Sequence, residues 1–187
     1  MRFPALELDR MNPAQRKIAD AILAGPRGSL RGPFNTWLRS PDLADRLQKV
    51  GEYIRFNSSL PQQLNEFAIL IVAREWSASF EWYAHEPMAI KAGLAQSIAD
   101  QLREGKRPEG MSAEETLVHD FCIQLLRQRQ VSEAVYQGVV GRFGEQGTVD
   151  LIGAIGYYAT VAMTLNVAQV QLPGGATPAV PPPPVPF

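Results

Sequence analysis

Residues 62–94, QQLNEFAILIVAREWSASFEWYAHEPMAIKAGL, decide the fold. From Phe67 to Ala73 every side chain is apolar, so a helix there is apolar on all its sides and belongs at the centre of a bundle. Leu60-Pro61 opens this helix. A second helix is predicted over residues 79–92, with Gly93 at the position that ends it. Pro87 falls inside the second helix and predicts a kink or an early end.

Breakers divide the rest of the chain into pieces of helical length. Asn12-Pro13 and Gly25 bound a helix over residues 13–24. Residues 25–33 hold too many Gly and Pro residues to be regular. Ser40-Pro41 starts a helix on which Leu43, Leu47, Val50 and Ile54 form one apolar stripe. A short helix is expected near residues 97–104. Ser112 and Glu115 form a capping-box pattern ahead of Leu117, Phe121 and Leu125. Ser132 opens a helix ending at Gly144, and Thr148 opens a last apolar helix reaching Val170. No alternating run or hairpin dipeptide is present. The expected fold is all-α, with seven to eight helices over residues 1–172 and a proline-rich arm over 173–187. Seven of the 15 prolines fall in that arm, which favours an extended polyproline conformation laid over the protein's own surface or a neighbouring subunit.

Composition narrows the function. With 18 Lys+Arg against 19 Asp+Glu, the 187-residue chain lacks the basic excess expected of a nucleic-acid binder. The run from Phe67 to Ala73 is too short to cross a membrane, and the charged N-terminus does not read as a signal peptide; a cytoplasmic protein is expected. Cys122 is the one cysteine, so neither an internal disulfide nor a Cys-x-x-Cys pair can form. Beside Phe121, it is expected to pack as a small hydrophobe.

Three residues stand out as candidate catalytic groups. Glu81 and His85 are spaced i,i+4 and share a helix face. Glu66 interrupts the apolar helix before them. In an antiparallel pair of helices, Glu66 and His85 lie at comparable heights across the turn. A carboxylate beside an imidazole fixes its tautomer and favours its charged form, which suits acid–base work. His119 lies off the Leu117/Phe121/Leu125 face and is expected at the surface. Trp76, Trp82 and Tyr83 either wall a pocket or pack in the core, with helical phase turning Trp82 away from Glu81. A metal site is not expected from so thin a set of ligands.

Residues 62–94 resemble the carboxymuconolactone decarboxylase family. The likeness rests on Glu66, the apolar helix ending in Ala73-Arg74, the Glu81-Trp82-x-x-His85 pattern and Ala92-Gly93-Leu94, with Gly156-Tyr157-Tyr158 and Leu165-Asn166 similar to the family's last helix. The resemblance implies a helical domain that assembles as a homo-oligomer, with the Val149–Val170 helix and the arm as candidate contacts. One branch, the alkylhydroperoxidase D type, uses a Cys-x-x-Cys pair that would fall at Ala78 and Glu81 here, with Glu66 and His85 as proton-relay members. Both cysteines are replaced, and thiol chemistry needs a thiolate and a resolving thiol. The other branch decarboxylates γ-carboxymuconolactone without a cofactor. This implies a small organic acid as substrate, His85 as the proton donor, and Glu81 and Glu66 orienting it. Trp76 and Tyr83 are taken as substrate-binding. Arg74 is either a carboxylate clamp or a structural salt-bridge partner. A non-catalytic helical oligomer that binds a small molecule is the third reading.

Overall fold

The computed structural model describes residues 1–181. Among these residues there are eight α-helices and no β-strand. The helices are α1 (Pro13–Ala24), α2 (Phe34–Trp37), α3 (Pro41–Phe56), α4 (Gln62–Glu75), α5 (Ser79–Lys91), α6 (Gln96–Arg103), α7 (Ala113–Gln128) and α8 (Glu133–Ala168). The four-residue α2 lies just past the breaker-rich loop and is too short to leave a periodic signal in sequence.

Helix α4 is the axis of the bundle. Every residue from Phe67 to Ala73 is fully buried, because α5, α6, α7 and α8 pack around it. Truncating one of its Leu or Ile side chains to Ala costs about 2–5 kcal/mol. Reciprocal caps fix the starts of α1 and α7, whereas Ser40 and Ser132, read as caps for α3 and α8, make no side-chain capping bond. The Asn12 side chain accepts from the Gln15 backbone while Gln15 returns the bond, and Ser112 and Glu115 do the same at α7. Glu115 also accepts a 2.8 Å hydrogen bond from Gln63, which ties the start of α7 to the start of α4.

Two expected faces are rotated. On α3 the buried residues are Ala44, Gln48, Gly51 and Ile54, while Leu43 and Val50 stand about half exposed. Small residues at 44 and 51 let α3 approach the bundle closely, which turns the larger Leu43 and Val50 outward. On α7 the inward face carries Glu115, Val118, His119 and Cys122 beside Phe121. His119 is therefore buried rather than exposed: it stacks on Phe67 and contacts Asp120 at 2.9 Å.

Pro87 does not end α5, which continues to Lys91. The proline removes one backbone bond of the helix without ending it. The last two expected helices form one element, bent where Gly144 takes a left-handed φ of 70°. Thr148 Oγ1 closes the bend by donating to the Gly144 carbonyl at 2.8 Å. Helix α8 is long and apolar enough to cross a membrane by length and composition alone, which the sequence reading did not anticipate; half of its most apolar stretch is buried in the bundle.

Past α8, Gln169 turns left-handed and the chain reverses. Val180 inserts into the core, and Pro173 and Ala179 border the main cavity. The arm thus folds back on its own domain as far as the structure describes it. The polyproline conformation expected from Pro173 onward is not adopted at the start of the arm, where Pro173–Gly175 forms a 3-10 turn with Gly174 at a φ of 64°; the residues from Pro182 onward lie outside the described residues.

Candidate active site

A three-residue turn, Trp76 to Ala78, reverses the chain between α4 and α5. Ser77 takes a φ of 49° there, and Ala78 donates its N–H to the Ala73 carbonyl at 2.8 Å. The tight reversal sets α5 antiparallel against α4. Glu66, in the second turn of α4, then faces His85, in the second turn of α5. Their side chains meet: His85 Nδ1 lies 2.7 Å from Glu66 Oε2, and both residues are buried. With Nδ1–H donating to the carboxylate, the imidazole is fixed in one tautomer, leaving Nε2 for the cavity that His85 lines. Tyr158 of α8 packs edge-on against the imidazole, with ring centroids 4.9 Å apart. Tyr157 packs in the same way against Tyr158 at 5.2 Å.

Glu81 is 1% exposed, and neither carboxylate oxygen has a hydrogen-bond partner among the described residues. Burial without a counter-charge pushes its pKa well above the usual carboxylate range. Its protonated form is favoured by that burial, and the group sits on the wall of the same cavity as His85. It makes no hydrogen bond to His85, so the orienting carboxylate is Glu66. Burial also raises the hydroxyl pKa values of Tyr157 and Tyr158.

The cavity has a volume of about 580 Å³, the size of a small-molecule site. Apolar walls come from Phe34, Phe80, Val161 and Leu165. Tyr83 lies on its rim, half exposed. Trp82 is fully buried and packs away from the cavity, under the Arg103 guanidinium. Glu86 lines the cavity but is ion-paired to Arg103.

Arg74 and Trp76 are not brought to this cavity. Arg74 lies eight residues beyond Glu66, about 12 Å along α4. Its Nε donates to the Arg103 carbonyl at 2.9 Å, and it borders a separate depression of about 50 Å³ with Glu75, Arg107 and Arg127. Its role there is structural, through a backbone carbonyl rather than an ion pair. Trp76 follows the end of α4 and is partly exposed, its carbonyl held by Asn166 at 2.8 Å. Sequence reasoning missed Arg27 and Arg55, and gave Tyr157 and Tyr158 no part in the site; all four line the cavity. The Tyr157-Tyr158 pair was visible in the sequence as part of α8, but which of its faces met His85 was not.

Cys122 is buried, and burial raises its thiol pKa far above the range in which a thiolate forms. It lies on α7 and does not line the cavity. Among the described residues, no three His, Cys, Asp or Glu side chains are grouped to hold a metal ion.

The architecture is that of the alkylhydroperoxidase D-like helical fold. A solved structure with this arrangement, from Ralstonia eutropha JMP134, is described as an alkylhydroperoxidase AhpD core, an uncharacterized peroxidase-related protein. It superimposes with a TM-score of 0.74 at 15% sequence identity, covering 97% of each chain. No family model and no curated protein matches the sequence.

Proposed function

We propose that this chain is a cofactor-independent acid–base enzyme, a carboxy-lyase acting on a small carboxylated lactone or related organic acid in the manner of the carboxymuconolactone decarboxylases. The observation that carries the reading is the buried 2.7 Å His85–Glu66 pair on a 580 Å³ cavity that also holds an unpartnered Glu81. In decarboxylation the C–C bond to the carboxylate breaks and its electron pair stays on carbon. Carbon dioxide leaves, and the carbanion takes a proton. His85 supplies that proton from Nε2 while Glu66 stabilises the imidazolium through Nδ1. Glu81, uncharged, neither repels an anionic substrate nor requires a counter-ion, and its O–H can bond to the developing enolate oxygen.

The peroxidase description of the structural neighbour does not carry over readily. Ala78 and Glu81 occupy the positions of the expected thiols, and Cys122 is buried elsewhere. We also assign a homo-oligomer. Val149, Ile152, Met163 and Val167 stand exposed along one side of α8, and Leu43 and Val50 do the same on α3. So much exposed apolar surface favours contact with a second copy. Carbon dioxide release from a panel of carboxylated lactones tests the function. The wild type should turn over at least one of them, and His85→Gln should do so about 10²-fold more slowly or worse. Equal release by both proteins would refute the assignment.

A further inference from the structure

The cavity contains two arginines that the acid–base chemistry does not use. Arg27 comes from the loop between α1 and α2, and Arg55 from the last turn of α3. Both are partly buried. Neither has a carboxylate partner among the described residues, whereas Arg103, Arg107, Arg127 and Arg142 all do. Arg27 Nε and Nη2 and Arg55 Nε are shut off from solvent without a hydrogen-bond acceptor.

The groups against them carry no charge: the Tyr157 hydroxyl beside Arg27, aromatic faces and a thioether. The Arg27 guanidinium lies over the Phe34 ring at 5.2 Å. Arg55 lies over Phe56 at 5.1 Å, and its Nη2 is 3.4 Å from Met88 Sδ. Aromatic faces and a thioether offset only part of the cost of desolvating a guanidinium. The two acidic residues on the cavity wall do not pair with them: Glu86 is taken by Arg103, and Glu81 makes no hydrogen bond or ion pair, burial favouring its protonated form. Gly51 makes room for this arrangement. A methyl group there would overlap both the Arg27 guanidinium and the Tyr157 hydroxyl. The wall therefore carries two positive charges with no protein counter-charge.

We propose that Arg27 and Arg55 are the anion-binding end of the cavity, holding an acidic group of an organic acid whose apolar body lies along Phe80, Val161 and Leu165. This deepens the acid–base reading and rests on it for the identity of the reacting end. A pair of guanidinium groups on a departing carboxylate would stabilise it before reaction more than in the transition state, where its charge is leaving. The acidic group held by Arg27 and Arg55 is therefore one that stays on the product. Both arginines are substrate-binding residues, and their signature is in binding.

Titration calorimetry with benzoate and hexanoate, against benzamide and hexanamide, tests this without turnover. The wild type should bind each acid at least about tenfold more tightly than its amide, and Arg27→Gln and Arg55→Gln should each weaken acid binding about tenfold or more. His85→Gln should retain the acids within about threefold while losing turnover. Arg27→Lys and Arg55→Lys replace any glutamine variant that does not melt cooperatively; they keep the charge, lose the planar fork, and should still bind the acids several-fold more weakly. Equal affinity for acid and amide, or wild-type affinity in a folded arginine variant, overturns the proposal. Loss of acid binding in the arginine variants together with full turnover by His85→Gln would leave the anion site standing and remove the acid–base reading alone.

Discussion

Replacing Glu81 with Gln should change how stability depends on pH. Glu81 is buried with both oxygens unpartnered, and that burial raises its pKa in the folded state. In the unfolded chain the group titrates near the ordinary glutamate value of about 4.3. Above that pH the unfolded chain releases a proton that the native state keeps. The contribution is most favourable below about pH 4.3 and is lost as pH rises toward the folded-state pKa, at about 1.4 kcal/mol per pH unit for one proton. Gln has nearly the same shape and does not titrate. Any cost of burying its amide is constant with pH. Urea unfolding of both proteins at pH 5, 6, 7 and 8 measures the effect. The two chains differ only at position 81, so the difference between the curves reports that residue. The variant should gain on the wild type by about 1.4 kcal/mol for each unit of rising pH within the window. Parallel curves between pH 5 and 8 would refute the claim that burial raises the Glu81 pKa in the native state.

Three further outcomes are expected. Cys122→Ala should leave activity unchanged, with a loss of about 1 kcal/mol in unfolding free energy from the missing core atom; loss of peroxide turnover in that variant would restore thiol chemistry. Val149→Glu combined with Ile152→Glu should shift light scattering from an assembled species toward the 20.6 kDa monomer, and a monomeric wild type at micromolar concentration would contradict the assembly. Gly51→Ala should destabilise the protein by about 1–3 kcal/mol in thermal unfolding, because the new methyl group displaces Arg27 and Tyr157; an unchanged melting temperature would contradict that packing.

The sequence disclosed those parts of the molecule that depend on local pattern. Seven consecutive apolar residues identified α4 as central, because no other placement hides a helix that is apolar on every side. Glu66 and His85 could be paired in advance because a short turn forces two helices into register. Faces were less legible where small residues decide packing. Ala44 and Gly51 carry little hydrophobic signal, yet they set which side of α3 is buried and leave Leu43 and Val50 outside. His119 was misplaced for a similar reason: the inward face of α7 combines Glu115, His119 and Cys122, a mixture that apolar periodicity does not detect. Arg74 offered either a carboxylate clamp or a structural salt bridge; it is neither, because about 12 Å of helix separates it from Glu66 and its Nε is spent on the Arg103 carbonyl. The arginines that do reach the cavity come from a loop and a distant helix end, and only the tertiary fold brings them together.

The central claim is that the His85–Glu66 pair moves a proton to carbon. Decarboxylation followed in deuterium oxide tests it directly, with nuclear magnetic resonance locating the label. The wild type should place deuterium on the carbon that lost carbon dioxide, and His85→Gln should slow that step about 10²-fold or more while the fold persists. Undiminished labelling and carbon dioxide release by a folded His85→Gln variant would contradict the account.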